Sequence, residues 1–296
     1  MRTTLVIFGR SVFLAGSWTW VIGMFLPVLL IKDFGAWSFA PFAIANVLGA
    51  MSVGFVLSAK RAEHAYNADP TARALFSVAT IAFHVFFVAA MSGRHLPGIL
   101  GVIPTIGEGD GQIDVDAPGS VAVLTIVMLM IPYAVAHKDR PEWVRLSLGV
   151  AVYLVSLACT YLAYITAGDG NAYAQPPMSG EFGPGALAFA ATGIIFGFAL
   201  CPYLDQSIVR IRSITPGVRG RVVSALGFGL FFLAMIVFTL AYARAFLGGA
   251  WLSYYFLLHI LVQSLFTVGV HMGELRRIAE RHARVHGPAL FWGAIL

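Results

Sequence analysis

The chain has 296 residues, of which 59% are hydrophobic and 11% are charged, and its formal net charge is +5. Soluble domains carry roughly a quarter charged residues, so this composition excludes a soluble enzyme, a disordered chain and a nucleic-acid-binding module. The mean hydropathy of +0.82 predicts an integral membrane protein instead. The two cysteines, Cys159 and Cys201, lie within apolar stretches, which indicates small buried side chains and no disulfide framework.

Eight apolar stretches are long enough, or nearly so, to cross a bilayer, which takes about 20 residues of helix. Backbone polar groups in lipid must be satisfied within the protein, and the alternating ten-residue strands of a barrel are not evident, so the predicted fold class is an all-α polytopic membrane protein. The predicted spans are residues 11–31, 36–59, 74–92, 119–136, 143–166, 185–209, 222–246 and 251–273.

The distribution of lysine and arginine predicts that both termini are cytoplasmic. With eight spans and an inner amino terminus, all but three of the 19 lysine and arginine residues fall in inner segments; the exceptions are Lys32, Arg94 and Arg244. Cytoplasmic loops are enriched in these residues, so the pattern favours this topology. Residues 1–273 are then one transmembrane domain of the inner or plasma membrane. Residues 274–296, with a basic and an apolar face, are predicted to form a cytoplasmic amphipathic tail.

Two metal-binding interpretations are open, each beside a simpler one. Segment 108–116 of an outer loop places four carboxylates within nine residues, which can hold Ca²⁺ but can equally be a solvated acidic turn. His84, His259 and His271 lie within spans, where paired histidines can ligate haem. However, His259 and His271 are about 18 Å apart along one helix and cannot share an iron. Histidines held by hydrogen bonds are the simpler interpretation.

No hydrolase, zinc or phosphate-binding motif occurs in the sequence: HExxH, GxSxG, CxxC and the P-loop are all missing. We therefore predict that the protein is not an enzyme and has no cofactor apart from a possible sodium ion.

The first and sixth spans both contain glycine and proline near their middles. Gly23 and Pro27 lie in the first span, and Gly193 and Pro202 lie in the sixth. Proline removes a backbone donor and glycine lowers the cost of unwinding, so both spans are predicted to be interrupted, although a simple kink is the other interpretation. At 1.5 Å per residue, Gly23 and Pro202 both approach the middle of a core about 30 Å thick. The two spans run in opposite directions, as an inverted repeat requires.

Asp205 in the sixth span is the acidic residue of most interest. It is predicted to lie about 7 Å above Arg210, within the hydrocarbon, where a carboxylate is costly and usually marks an ion or proton path. The other interpretation places Asp205 at the inner interface, balanced by the arginines that follow it.

Three segments of the first two spans resemble a known family. Ser17-Trp-Thr-Trp-Val-Ile-Gly-Met-Phe-Leu-Pro27 is followed by Phe34-Gly-Ala-Trp37 and by Phe42-Ala-Ile-Ala-Asn46-Val-Leu-Gly49. This order resembles the sodium:solute symporters of the amino-acid/polyamine/organocation superfamily. In that family a serine- and glycine-containing broken helix precedes an aromatic–glycine turn, a tryptophan and an Asn-x-x-Gly motif.

The resemblance implies an inverted repeat of five plus five helices, with the substrate between the broken first and sixth helices. Sodium would be held by first-helix carbonyls and by eighth-helix hydroxyls, here Ser264 and Thr267. The implied substrate site comprises Trp20, Gly23, Met24, Pro27, Phe198, Cys201, Pro202, Tyr203 and Asp205. The chain departs from the family in having eight predicted spans instead of ten, so the repeat is truncated.

The sequence therefore predicts a secondary-transporter-like protein that binds a small organic solute near the bilayer midplane, with sodium or proton coupling left open. One alternative is a non-transporting membrane subunit or sensor whose basic inner loops and tail meet a cytoplasmic partner. Another is a haem- or quinone-reactive redox subunit, based on the histidines. The expected partners are the lipid bilayer, the solute, and a partner subunit or second copy that supplies the missing helices; no nucleic acid is expected.

Overall fold

The computed structural model describes residues 2–19, 21–68, 70–99, 118–136, 140–166, 176–247 and 254–286. Within these ranges the chain is helical and no residue lies in a β-strand, which confirms the all-α class. The helices are α1 (Arg2–Trp18), α2 (Val21–Phe34), α3 (Phe39–Val56), α4 (Ala59–Asn67), α5 (Pro70–Ile99), α6 (Pro118–Ala136), α7 (Glu142–Thr166), α8 (Pro184–Leu204), α9 (Gln206–Ser213), α10 (Gly217–Leu226), α11 (Leu233–Leu247) and α12 (Tyr254–His286). The acidic segment 108–116 and Trp20 lie outside the described residues.

Six helical segments of the described chain are long and apolar enough to cross a membrane, which confirms a helical membrane protein. They are Ala36–Val56, Pro70–Val88, Glu142–Ala163, Pro184–Leu204, Gly217–Leu240 and Tyr255–Arg281. The predicted first span is divided between α1 and α2, and it makes a seventh only if the bent pair is one span. The predicted fourth span coincides with α6, whose described apolar part, Thr125–Ala136, is shorter than a full crossing.

The first predicted span changes direction between α1 and α2. Segments Thr3–Trp18 and Gly23–Phe34 differ in direction by 53°. The Thr19 hydroxyl donates a 2.7 Å hydrogen bond to the Ala15 carbonyl, so it helps to satisfy the last turn of α1 where the chain leaves it. The break therefore lies one turn before Gly23, and both Gly23 and Pro27 are inside α2.

The sixth predicted span, residues 185–209, is also divided. α8 ends at Leu204, Asp205 has an extended backbone (φ −70°, ψ 110°), and α9 begins at Gln206. The interruption thus falls three residues after Pro202, which remains within the last turn of α8.

The predicted cytoplasmic tail does not begin as a separate element. α12 runs without interruption from Tyr254 to His286, so residue 274 is in the middle of a helix. Glu274 is only 1% exposed and Ile278 is 3% exposed, so the first turns of the predicted tail belong to the packed bundle.

Between α10 and α11 the helix widens into a π-helical segment, Gly227–Phe232. Such segments leave carbonyls without their usual partners. Here the Tyr153 hydroxyl of α7 donates a 3.0 Å hydrogen bond to the Phe231 carbonyl.

α12 packs against α5, α6 and α7 and lies at the centre of one side of the bundle. α3 packs closely against α8, because a Cβ atom at Gly49 would collide with the Phe198 carbonyl oxygen. α11 packs against α2, and α4 packs against α9. α8 is the most peripheral of the six long apolar segments: 11% of its apolar window is buried, against 39% to 50% in the other five.

Candidate functional site

The two helix interruptions lie beside each other. Ser17 is in the last turn of α1, and Ser207 is in the first turn of α9. Both residues are fully buried, and the Ser207 hydroxyl donates to the Ser17 hydroxyl at 3.4 Å. Polar side chains from both interruptions therefore meet inside an apolar bundle.

Asp205 forms the interruption between α8 and α9 and is 0% exposed. Its Oδ1 atom accepts hydrogen bonds from the backbone N–H groups of Ser207 at 2.7 Å and Ile208 at 3.3 Å, so it caps α9. A helix N-terminus favours negative charge, which helps to accommodate the carboxylate. The Oδ2 atom has no hydrogen-bond partner among the described residues, so only half of this buried carboxylate is satisfied.

His271 of α12 faces the free side of Asp205. Its Nε2 atom lies 3.9 Å from Asp205 Oδ2, and both side chains are 0% exposed. Its Nδ1 atom is 3.1 Å from the hydroxyl oxygen of Ser77 on α5. The serine, histidine and aspartate thus form a buried series of groups that can hold and exchange a proton.

The same helix carries a polar stripe, which we define as His259, Gln263, Thr267 and His271. Residues four apart share one helix face, and these four are 3%, 0%, 0% and 0% exposed. The Gln263 Nε2 atom donates a 2.8 Å hydrogen bond to Ser156 Oγ on α7. The Gln263 Oε1 and His259 Nδ1 atoms have no hydrogen-bond partner among the described residues. The polar stripe extends about 18 Å along a helix that is otherwise packed against apolar neighbours.

The predicted sodium ligands, Ser264 and Thr267, are both fully buried, and their hydroxyls lack hydrogen-bond partners within the described part of the chain. Buried hydroxyls in helices usually bond to a carbonyl one turn earlier. Ser11, Thr80 and Thr160 all do so, each at 2.8 Å. The hydroxyls of Ser264 and Thr267 are therefore still available to a ligand or ion.

In the predicted substrate site, the α2 residues lie in a different environment from the α8 residues. Gly23 is buried, yet a Cβ atom there would meet no described atom within 4 Å. Met24 is 5% exposed and packs with residues of α5, α11 and α12, and its carbonyl accepts a 2.9 Å hydrogen bond from the Tyr242 hydroxyl. Pro27 is buried inside α2.

Phe198, Cys201 and Tyr203 of α8 pack against a buried hydrophobic cluster that includes Phe42 and Val47 of α3. The Phe198 ring packs edge-on against Phe42 at a centroid distance of 5.3 Å, and the Tyr203 hydroxyl is 2.9 Å from Ser52 Oγ. Pro202 is buried beside them. The structure thus places the α2 residues and the α8 residues of the predicted site in separate packing environments. Ser17 of α1 and Ser207 of α9, next to Asp205, make the contact between the two interrupted helix pairs.

Two of the three buried histidines have a hydrogen-bond partner among the described residues. His84 Nδ1 is 2.7 Å from the carbonyl oxygen of Thr80 in its own helix, while His271 contacts Ser77. Across the described residues there is no cluster of three histidine, cysteine, aspartate or glutamate side chains arranged to hold a metal ion.

Sequence reasoning identified Asp205 but did not place Ser17, Ser77 or Ser207 in the site. It considered His271 as a haem ligand or as a histidine held by hydrogen bonds, and not as a neighbour of Asp205. The four-residue spacing of the polar stripe was visible in the sequence and signals one polar helix face. Nothing in the sequence shows that Ser17 meets Ser207 across 190 positions.

At the basic end of the bundle, a buried polar cluster surrounds Glu274. Its Oε1 atom accepts from Arg210 Nε at 2.7 Å and Arg277 Nη1 at 2.9 Å, and its Oε2 atom accepts from the Tyr66 hydroxyl at 3.0 Å. Burial, together with the negative charge of Glu274, raises the pKa of Tyr66 on α4 to about 12. The cluster connects α4, α9 and α12 below the interruption at Asp205.

A second ion pair closes this end on the side of α1. Arg10 contacts Glu142 of α7 at 2.8 Å and donates to Thr215 Oγ1, after α9, at 3.0 Å. One helix of each interrupted pair, α1 in the first and α9 in the second, is thereby linked to neighbouring helices at the basic end.

No protein-family model, no curated protein and no solved structure matches this chain. The resemblance to the sodium:solute symporters therefore depends on its own residues alone.

Proposed function

We propose that the protein is a secondary-transporter-like membrane protein that binds a small organic solute beside the two helix interruptions. The observation that carries the proposal is the contact between the interruptions, Ser17 Oγ to Ser207 Oγ at 3.4 Å, beside the fully buried Asp205 carboxylate. Interrupted helices at the centre of a membrane protein offer free backbone groups and helix ends to substrates and ions.

The pairing of helices supports a truncated inverted repeat in this proposal. The pair α1 and α2 corresponds to α8 and α9, α3 corresponds to α10 with α11, and α5 corresponds to α12. α3 packs against α8, and α11 packs against α2. In each repeat, the helix that follows the interrupted pair therefore packs against the interrupted pair of the other repeat. This reciprocal packing is expected of two interlocked repeats.

In the proposed topology the basic end faces the cytoplasm of the inner or plasma membrane, with both termini inside. The arginines Arg10, Arg210 and Arg277 all lie at that end, as the positive-inside rule requires.

Two groups support ion coupling. Asp205 and His271 can carry a proton, because their side chains lie 3.9 Å apart without exposure to solvent. The hydroxyls of Ser264 and Thr267 have no hydrogen-bond partner within the described ranges, and they would supply two oxygen ligands for sodium. The solute would lie next to Asp205 and towards Gly23, where a Cβ atom would meet no described atom within 4 Å.

Thermal unfolding of the purified protein tests the sodium site with sodium alone as the probe. We expect sodium, compared with choline, to raise the melting temperature of the wild type, because an ion at 100 times its dissociation constant adds about 2.7 kcal/mol. Thr267→Val should abolish this rise, since it removes one buried oxygen ligand while nearly preserving side-chain volume. The matched control is Thr192→Val, whose hydroxyl bonds to the Ala188 carbonyl on an exposed face of α8.

The same thermal unfolding measurement is then repeated with a panel of amino acids, sugars and organic acids, with and without sodium and at several pH values. A solute whose stabilising effect increases with sodium or with acid supports transport. If sodium stabilises Thr267→Val as strongly as the wild type, the proposed sodium site is wrong. If no solute and no ion stabilises the protein, the transporter proposal fails.

A second candidate function, a membrane subunit completed by a partner, is favoured by the exposure of α8. Phe189, Phe196 and Leu200 on this helix are 87%, 66% and 63% exposed. A helix that lines a central substrate site is expected to be covered by other helices. Light scattering of the detergent-solubilised protein, together with the solute panel above, distinguishes the two candidate functions. A monomer that is stabilised by a solute supports the transporter, and a stable complex that no solute stabilises supports the subunit.

A further inference from the structure

A groove separate from the two interruptions opens between α6, α7 and α12. It has a volume of about 250 Å³, and Phe13 of α1 lies at its base. Its walls are apolar and include Ile131 of α6, Leu148 of α7 and Leu265 of α12. Gly269 and Gly273, four residues apart on α12, contribute no side chain to that wall. A Cβ atom at Gly269 would come no closer than 3.6 Å to Pro132.

Charge is confined to one end of this groove. Four arginines line it, against one glutamate, Glu274. Arg210 and Arg277 already bond to that glutamate. Arg140 and Arg145 lie on the opposite wall, at the start of α7, and add positive charge there. Along α12 the lining runs from Val262 to Arg277, about 22 Å, and its charged side chains occur only from Glu274 onwards.

An apolar slot with cations at one end matches an amphiphile with an anionic head. One leaflet of the hydrocarbon core is about 15 Å deep, which is close to the length of the apolar part of the groove along α12. The acyl chain of a lipid can therefore lie along this part while the phosphate of the same lipid reaches the arginines. Basic pockets between transmembrane helices at the cytoplasmic side are a known way to hold anionic lipid headgroups. A transmembrane helix of a partner would instead require apolar contacts along the full length and no concentration of arginine.

We propose that this groove binds an anionic phospholipid, with the phosphate at Arg140 and Arg145 and one acyl chain along α12. The site does not depend on the proposed transport function, because no residue of the polar stripe lines the groove and neither does Asp205. The lipid would cover the outer side of α12, between α6 and α7, and so stabilise the helix that carries His271.

Native mass spectrometry of the full-length protein in detergent tests the proposal with phosphatidylglycerol and phosphatidylethanolamine of matched acyl chains. We expect the wild type to retain phosphatidylglycerol preferentially. An arginine close to an anionic lipid strengthens binding about fivefold, so the double variant Arg140→Gln/Arg145→Gln should bind phosphatidylglycerol about 25-fold more weakly.

The matched control is Arg219→Gln/Arg221→Gln. These two arginines are exposed at the start of α10, follow α9 in the chain, and do not line the groove. This control should change the affinity less than twofold. Leu148→Trp fills the apolar part and leaves every charge in place, so it should also weaken phosphatidylglycerol binding.

Four results would overturn the proposal. The first is an equal loss of lipid in the two double variants, which would indicate a general effect of surface charge. The second is equal retention of the two lipids by the wild type. The third is displacement of the lipid by glycerol phosphate at equal concentration, which would show that the groove contributes nothing to acyl-chain binding. A protein mass bound in place of lipid would likewise assign the groove to a partner subunit.

Discussion

Replacement of Asp205 separates its role as a helix cap from its role as a buried charge. Its Oδ1 atom accepts two backbone hydrogen bonds at the start of α9, while Oδ2 faces His271 at 3.9 Å without a hydrogen bond. Asparagine is as good a cap as aspartate, so Asp205→Asn keeps the capping oxygen and removes the charge. Alanine removes both, at a cost of about 1 kcal/mol for the cap.

The expected stabilities follow from these contacts. In choline buffer, the melting temperature of Asp205→Asn should lie within about 2 °C of the wild-type value. The cap is kept, and among the described residues the only charged neighbour that the substitution affects is His271, 3.9 Å from Oδ2. Asp205→Ala should unfold about 2–4 °C lower, since about 1 kcal/mol corresponds to that shift in a chain of this size. Both variants should lose the dependence of solute-induced stabilisation on sodium or pH, because both lack the carboxylate.

Tryptophan fluorescence during heating measures these changes. Ser58→Ala is the matched control: Ser58 caps α4 by accepting the Arg61 N–H at 3.2 Å, and its side chain is exposed, unlike the buried Asp205. It should lose stability by a similar mechanism and keep the ion response. If Asp205→Asn retains the full ion response, the carboxylate serves only as a cap and the coupling argument is refuted.

The remaining predictions concern the cluster around Glu274. Glu274→Gln should lower the free energy of unfolding by about 3 kcal/mol, because Arg210 stays buried without its charged partner. The control Glu280→Gln breaks a more exposed pair with Arg276 and should change the free energy of unfolding by under about 0.5 kcal/mol. Chemical denaturation measures both, and equal losses would contradict the argument. Tyr66 has its pKa raised from 10.0 to about 12, so its contribution to stability should be complete below pH 10 and be lost as the pH rises to 12. Comparing the alkaline unfolding of Tyr66→Phe with the wild type measures this, and identical pH dependence would show that Tyr66 ionises normally.

Much of the helical framework could be predicted from the sequence, because the length of an apolar run determines whether a helix can cross a bilayer. The positions of the interruptions could not. Glycine and proline show where a helix is weak, but the helix opens where other groups satisfy its ends. Thr19 does so for α1 and Asp205 does so for α9. The first break therefore lies about two turns before Pro27, and the second lies three residues after Pro202.

Of the candidate site, only the buried carboxylate of Asp205 could be predicted from the sequence. A carboxylate within an apolar span is costly wherever it lies, and this identified Asp205 without knowledge of its neighbours. The contacts of Ser17, Ser77 and His271 depend on which helix faces are buried together. The family resemblance implied that Met24 and Phe198 share one site, yet Met24 packs towards α11 and Phe198 towards α3, because Gly49 draws α8 onto α3.

The short helix α9 is fastened to its surroundings by its two arginines. Arg210 pairs with Glu274 of α12, and Arg212 donates to the Gly54 carbonyl of α3 at 3.2 Å and to the Thr215 carbonyl at 2.6 Å. The end of α9 next to Asp205 is joined to α8 through a single extended residue. Any tilt of α9 therefore has its hinge at Asp205 and carries the lower part of α12 with it, unless the arginine–glutamate pair separates first. Such a motion would also shift His271, three residues from Glu274, so an event at the basic end of the bundle would be mechanically transmitted to Asp205.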